Sequence, residues 1–393
     1  MIGTILLKFT VSLLILDLTG SAALFGTITA LSYLPPVFLS PIAGILADRK
    51  NKRTLMVALD GMYCVTAIIL ALSMSLENKL IYITAIMVML SIISSFETPV
   101  VQSSIPLLQE KDNLVKSNAV VSQINMIANL LGPLLAGVFY GIAIKHSFTG
   151  IQMIFFYCAI CFFSAAFLEL FIKIPTVYRE TGNALQIIKQ DLMEGVHFLK
   201  TENTYVFQAI LLNAAFVLLI QPLITTGAPF IIRIVLELNS TLNGLSQALM
   251  GAAGLVGGII AGLISDRFKV NKIYQLFLIM GVAVALFGIA VLLHLSATTT
   301  YIIFVMVGVI IFITASIAGI FIMSAIQQNV PDNMLGRVMS FYSAIVTAAL
   351  PVGILIFGYL YEKFINHLPI IFFITAVLIN IVGQFGKRVY KQF

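Results

Sequence analysis

Long apolar runs, separated by short polar and mostly basic turns, divide the 393-residue chain from end to end. A bilayer core takes about 20 apolar residues of helix. Eleven runs reach that length, and a shorter one stands at the start. The pattern predicts helices at about 1 to 16, 22 to 47, 54 to 76, 80 to 100, 114 to 144, 150 to 173, 204 to 235, 241 to 265, 272 to 293, 299 to 328, 335 to 362 and 367 to 386. Residues 175 to 203 differ: Leu185, Ile188, Leu192, Val196 and Leu199 recur at helical spacing among polar residues. That spacing predicts an amphipathic helix on the membrane surface, joining an N-terminal six-helix bundle (1–174) to a C-terminal one (204–393).

Composition narrows the class. Sixty per cent of residues are hydrophobic and 10% charged, whereas a soluble domain carries about 25% charge; lipid is the main solvent, and the expected fold is an all-α membrane protein. The net charge of +6 sits in short clusters without aromatic and basic interleaving, so it sets topology and does not mark a nucleic-acid surface. Arg49, Lys50, Lys52 and Arg53 follow the second helix, basic residues recur in every later even-numbered connection, and Lys387, Arg388 and Lys391 close the chain. The opposite connections hold only Lys79, Lys145, Arg233 and Lys363. Both termini are therefore expected on the cytoplasmic side. Cys64, Cys158 and Cys161 lie inside apolar runs, with no His or further Cys beside the CxxC pair, and are assigned to packing. Met1 to Leu16 lacks the basic start and small-residue cleavage site of a signal peptide and reads as a helix.

A shift of 218 positions lays residues 21 to 49 on 239 to 267 without a gap. It matches Leu24 with Leu242, Gly26 with Gly244, Ala30 with Ala248, Leu31 with Leu249, Ala43 with Ala261, Gly44 with Gly262, Asp48 with Asp266 and Arg49 with Arg267, and it brings Pro133 onto Pro351. The chain reads as a duplicated six-helix unit, an arrangement that places a substrate path between the halves near the midplane. Under the same shift the counterpart of Thr204 precedes Met1, so the first helix is shortened. Sixteen residues reach about 24 Å against a core of about 30 Å, which predicts a coding start lying about 15 residues upstream.

Gly44-Ile45-Leu46-Ala47-Asp48-Arg49-Lys50-Asn51-Lys52-Arg53 resembles the signature of the major facilitator superfamily, and Gly262 to Lys272 repeats it more loosely. The resemblance implies a fold of twelve transmembrane helices and a cytoplasmic gate built from Gly44, Asp48, Arg49, Arg53, Gly262, Asp266, Arg267 and Arg337. Physically, a carboxylate at a helix end facing basic side chains is a latch whose pairing differs between two packings. Ala128 to Gly137 in the fifth span, with Gly132, Pro133 and Gly137, is similar to the antiporter motif of drug exporters; small residues there allow close helix approach and the proline bends the helix. Leu18-Thr19-Gly20-Ser21, Asp191-Leu192-Met193-Glu194-Gly195 and Leu335-Gly336-Arg337-Val338 look like the macrolide-efflux branch. One departure stands in the fourth span: Leu90 occupies the position at which many proton-coupled exporters carry an arginine.

Ionisable groups at membrane depth are costly and usually functional, which makes Lys8, Asp60 and Glu97 candidates for proton or substrate handling. Gln123, Asn125 and Asn129 in the fifth span, Asn213 and Gln221 in the seventh and Gln247 in the eighth could bind substrate or tie helices together. Gly254, Gly258 and Gly262 predict a helix contact face, and His146, His197, His294 and His367 fall at loops. No phosphate-cradling loop and no nucleophile, base or metal cluster occurs, so neither ATP, a cofactor nor enzymatic chemistry is expected. The expected protein is a monomeric secondary transporter of a bacterial inner membrane. It exports small amphipathic molecules by alternating access in exchange for protons. The alternatives are an uncoupled facilitator or lipid flippase, and a truncated, receptor-like protein that does not transport.

Overall fold

The computed structural model describes residues 2–108, 114–174, 184–265 and 267–393. Among these, the apolar runs form α1 (Ile2–Thr19), α2 (Ala22–Arg49), α3 (Lys52–Ser73), α4 (Lys79–Leu108), α5 (Leu114–Ala143), α6 (Ser147–Glu169), α8 (Thr204–Thr225), α10 (Ser240–Leu263), α11 (Ile273–Leu292), α12 (Ala297–Asn329), α13 (Asp332–Lys363) and α14 (Leu368–Val389). The amphipathic segment forms α7 (Ala184–Thr201), and α8 continues through a short α9 (Gly227–Phe230) and a wider π turn, Ile231–Val235. Twelve of these stretches are long and apolar enough to cross a bilayer. The protein is an all-α, multi-pass membrane protein.

Two boundaries differ from the sequence pattern in ways that matter. α1 runs on to Thr19, 18 residues or about 27 Å, because Leu18 and Thr19 continue the backbone ladder until Gly20, at φ 59°, turns the chain out of the helix. α4 runs on to Leu108, since Thr98 to Ser104 bond back into the helix as readily as apolar residues do. Glu97 accordingly lies eleven residues, about 16 Å, from that helix end.

The backbone divides into two compact units: Met1–Gly20, Ile28–Ile188 and Asn239–Ala248 in the first, Ser21–Thr27, Lys189–Leu238 and Leu249–Phe393 in the second. In the first, α1 packs on α4, α5 and α6, and α3 packs on α4 and α6. In the second, α8 packs on α12, α13 and α14, and α11 on α12 and α14, which is the same pattern displaced by the repeat. Tyr63 and Tyr140 are sealed in the first unit, Tyr361, Tyr390, Phe230 and Phe277 in the second. Repeat-related side chains are also buried alike. Ala30 and Ala248 are covered, as are Ala43 and Ala261, while Leu31 and Leu249 are 40% and 42% exposed.

Candidate functional site

Four helices of the first unit bring ionisable groups together. Asp60 and Tyr63 lie one turn apart on α3, as do Ser94 and Glu97 on α4, so each pair shares a face. Lys8 of α1 donates from Nζ to Ser94 Oγ at 3.0 Å, and Tyr63 donates its hydroxyl to Glu97 Oε2 at 2.9 Å. Tyr63 is held by stacking on Phe162 of α6, ring centroids 4.9 Å apart. The charges of Lys8 and Glu97 act on each other, and Asp60, Glu97 and Glu169 form a mutually repelling set. The cluster thus gathers three carboxyl groups and the Lys8 ammonium, with the N-terminal amine also acting on Asp60 and Glu169, in a setting where unpaired charge is costly.

Glu169 is the member that the sequence pattern did not single out. It ends α6, and its Oε2 is buried without a hydrogen-bond partner among the described residues. The available signal was a lone carboxyl in the apolar stretch Phe167-Leu168-Glu169-Leu170-Phe171.

The signature turns are placed as follows. Gly44, Asp48 and Arg49 fall on the last turns of α2, and their side chains lie outside the described residues, as does Asp266 altogether. Asn51 caps α3 by accepting from Thr54 N–H at 3.2 Å. Lys52 is buried, and Arg53 reaches the Leu170 carbonyl at 3.5 Å, the outer limit of a hydrogen bond. Gly262 has open space around it, and Arg267 is exposed. Arg337 pairs with Glu194 on α7, Nη1 to Oε2 at 2.8 Å, while a side chain at Gly195 would meet the Arg337 carbonyl at 3.0 Å. Two motif fragments far apart in sequence therefore meet, and they fasten α7 to the start of α13.

The small residues of α5 are contact points. A Cβ on Gly132 would strike Ile5 of α1 at 2.5 Å, and one on Gly137 would strike the Ser240 carbonyl of α10 at 2.5 Å. The Gly137 carbonyl accepts from Ser240 Oγ at 3.0 Å, and the Pro133 carbonyl lies against Gly244. On α10, Gly254 and Gly258 lie at ordinary contact distance from α12, whereas the tight approach is at Gly257, which would meet the Ile313 carbonyl at 2.5 Å. That glycine was outside the predicted stripe.

Of the polar candidates, Asn213 donates to Tyr342 Oη at 2.8 Å inside the second unit. Asn129 donates back to the Asn125 carbonyl at 2.8 Å, while Asn125 Oδ1 is buried without a partner among the described residues. Gln123 and Gln221 are exposed, and Gln247 is half-buried. The structure gathers Lys8, Asp60 and Glu97 into one cluster and distributes the amides over other helices. Leu90 is completely buried.

The sequence model of the Major Facilitator Superfamily matches residues 1–354. The chain is 20% identical over 370 residues to macrolide efflux protein A of Streptococcus pyogenes, covering 93% of this chain and 88% of that protein. It is 27% identical over 385 residues to the staphyloferrin A transporter of Staphylococcus aureus (strain NCTC 8325 / PS 47), covering 94% and 89%. Its fold is similar to the crystal structure of a bacterial homolog of the human lysosomal transporter Spinster in an inward-facing, unoccupied conformation, with a TM-score of 0.76, 13% identity, and coverage of 100% of this chain and 95% of that one. With a family match over most of its length and twelve membrane-length helices arranged in two like units, the chain belongs to the major facilitator superfamily of membrane transporters.

Proposed function

We propose that this transporter exports small amphipathic molecules from a bacterial cell, with both termini cytoplasmic, in exchange for protons. In this reading the six-helix halves 1–174 and 204–393 alternate about a central path, joined by 175–203. The observation that carries it is the gathering of carboxyl groups in the first unit: Asp60, Glu97 and Glu169 act on one another, with Lys8 facing Glu97. Three carboxylates close together in a medium of low dielectric repel one another. Taking up a proton relieves that repulsion, and so does binding a cationic substrate, which couples the two events. Family membership, the likeness to macrolide efflux proteins and the placing of Gly132, Pro133 and Gly137 at helix contacts support the export direction. The signature turns at Asp48 and Arg49 and at Asp266 and Arg267, together with Arg53, Gly44, Gly262 and Arg337, form the gate on the side of the termini.

A second reading, uncoupled facilitation or lipid flipping, is favoured by Leu90, which fills with hydrocarbon a position where many coupled exporters carry an arginine. Purified protein in liposomes, loaded with a fluorescent amphipathic dye, separates the two. Coupled export moves dye against its gradient when a pH gradient is imposed and stops when a protonophore collapses it. Dye that only runs down its own gradient, at a rate indifferent to the protonophore, would establish the facilitator. Retention of dye under both conditions, with a macrolide and an anionic chelate also unmoved, would count against transport of this class.

A further inference from the structure

α14 buries one face and leaves the opposite one uncovered, and along that uncovered face runs a groove of about 770 Å³. Its two ends differ in chemistry. Toward the chain terminus stand Lys387, Arg388 and Lys391, all exposed, with Lys387 Nζ held 5.2 Å from the centre of the Tyr274 ring. One to two turns deeper the same wall is made by Gln384, Ile381 and Phe385, with Ile381 and Phe385 also exposed. No Asp or Glu is among the described residues that line it.

A soluble protein would have to hide Ile381 and Phe385; in a bilayer the same residues face acyl chains. A cluster of three cations at the helix end attracts phosphate, and a polar amide sits at the depth of a glycerol ester. We propose that this groove binds one anionic phospholipid: Lys387, Arg388 and Lys391 hold the headgroup phosphate, the Gln384 amide donates to the glycerol ester region, and one acyl chain lies along Ile381 and Phe385. A free phosphate compound would satisfy the cations and leave the apolar wall unfilled, so the lipid is the occupant that matches both ends. An ordinary basic flank of a membrane helix would draw anionic lipid to the surface in general; a groove of this shape retains a single molecule.

The test is native mass spectrometry of the detergent-purified chain titrated with palmitoyl-oleoyl phosphatidylglycerol or with the phosphatidylcholine of the same chains. One phosphatidylglycerol per chain is expected to survive dissociation, with little phosphatidylcholine. K387Q/R388Q/K391Q should retain it on the order of 100-fold more weakly, and the charge-preserving K387R/R388K/K391R should retain it like the parent. Because loss of flanking charge also disturbs insertion, Phe385→Glu provides an independent arm: it leaves the headgroup end intact and should lose retention by about tenfold or more. Equal retention of both lipids, or retention untouched by K387Q/R388Q/K391Q and by Phe385→Glu, overturns the proposal. So does displacement of the bound mass by millimolar glycerol 1-phosphate, which would identify a site for a soluble phosphate.

Discussion

Glu97 and Glu169 show how differently two carboxyl groups can be kept in an apolar segment. Glu97 accepts a hydrogen bond from Tyr63 and faces Lys8, whereas the buried oxygen of Glu169 has no hydrogen-bond partner among the described residues. Replacing either with glutamine removes a charge at nearly constant volume, so the fold should survive. E97Q and E169Q are each expected to cut export driven by a pH gradient by tenfold or more, with thermal midpoints in detergent close to the parent. Unchanged gradient dependence in both single variants and in the double variant would remove the cluster from the coupling step. Lys8, Asp60 and Glu97 were legible in the sequence because an ionisable residue inside an apolar run stands out by itself. What the sequence withheld was their meeting, and Glu169 with them. A cluster spread over α1, α3, α4 and α6 is a property of tertiary packing, and periodicity within one helix carries no trace of it.

Helix positions followed from apolar run length almost throughout, and the largest exception has a clear cause. α4 extends past its apolar stretch because serine and threonine hydroxyls bond back to carbonyls three or four residues earlier, which keeps polar residues helical in an apolar setting. α7 was readable from its amphipathic spacing, but its attachment was not. Two features fasten it, the Arg337–Glu194 ion pair and the close approach of Gly195 to the Arg337 backbone. The ion-pair side chains are 36% and 39% exposed, so solvent screening leaves that contact about 1 kcal/mol or less. Steric exclusion at Gly195 is the stronger constraint. Limited proteolysis of the 175–203 connection should therefore be accelerated much more by Gly195→Leu than by Glu194→Ala. The reverse ranking would show that charge and not fit holds α7.

For the whole molecule, the internal repeat carries the most information, and the structure gives its physical content. Ser21 and Asn239, equivalent under the 218-residue shift, each accept a hydrogen bond from the N–H three residues on, Leu24 at 3.1 Å and Leu242 at 2.9 Å, and so start α2 and α10 alike. Five residues into each segment come Gly26 and Gly244. A Cβ on Gly26 would lie 3.0 Å from the Gly358 Cα of α13, where Glu362 also accepts from Ser21 Oγ and from the Ala23 N–H at 2.9 Å. A Cβ on Gly244 would lie closer still, 2.4 Å from the Pro133 carbonyl of α5. Because a side chain at Gly26 has no room against α13, Gly26→Leu is expected to cut dye export by tenfold or more, while Leu24→Ala, at an exposed position of the same helix, should leave it near the parent rate. Export by Gly26→Leu at the parent rate would show that this close approach is not needed for transport.

Gene duplication leaves two copies of a helix free to drift apart, and wherever side chains interdigitate a change on one partner can be absorbed by a change on the other. Where main chain touches main chain there is nothing to adjust. Gly26 and Gly244 occupy such places, so these two positions are held by the absence of atoms, a constraint with no compensating substitution. What the two copies share at these positions is thus a pair of gaps between helices.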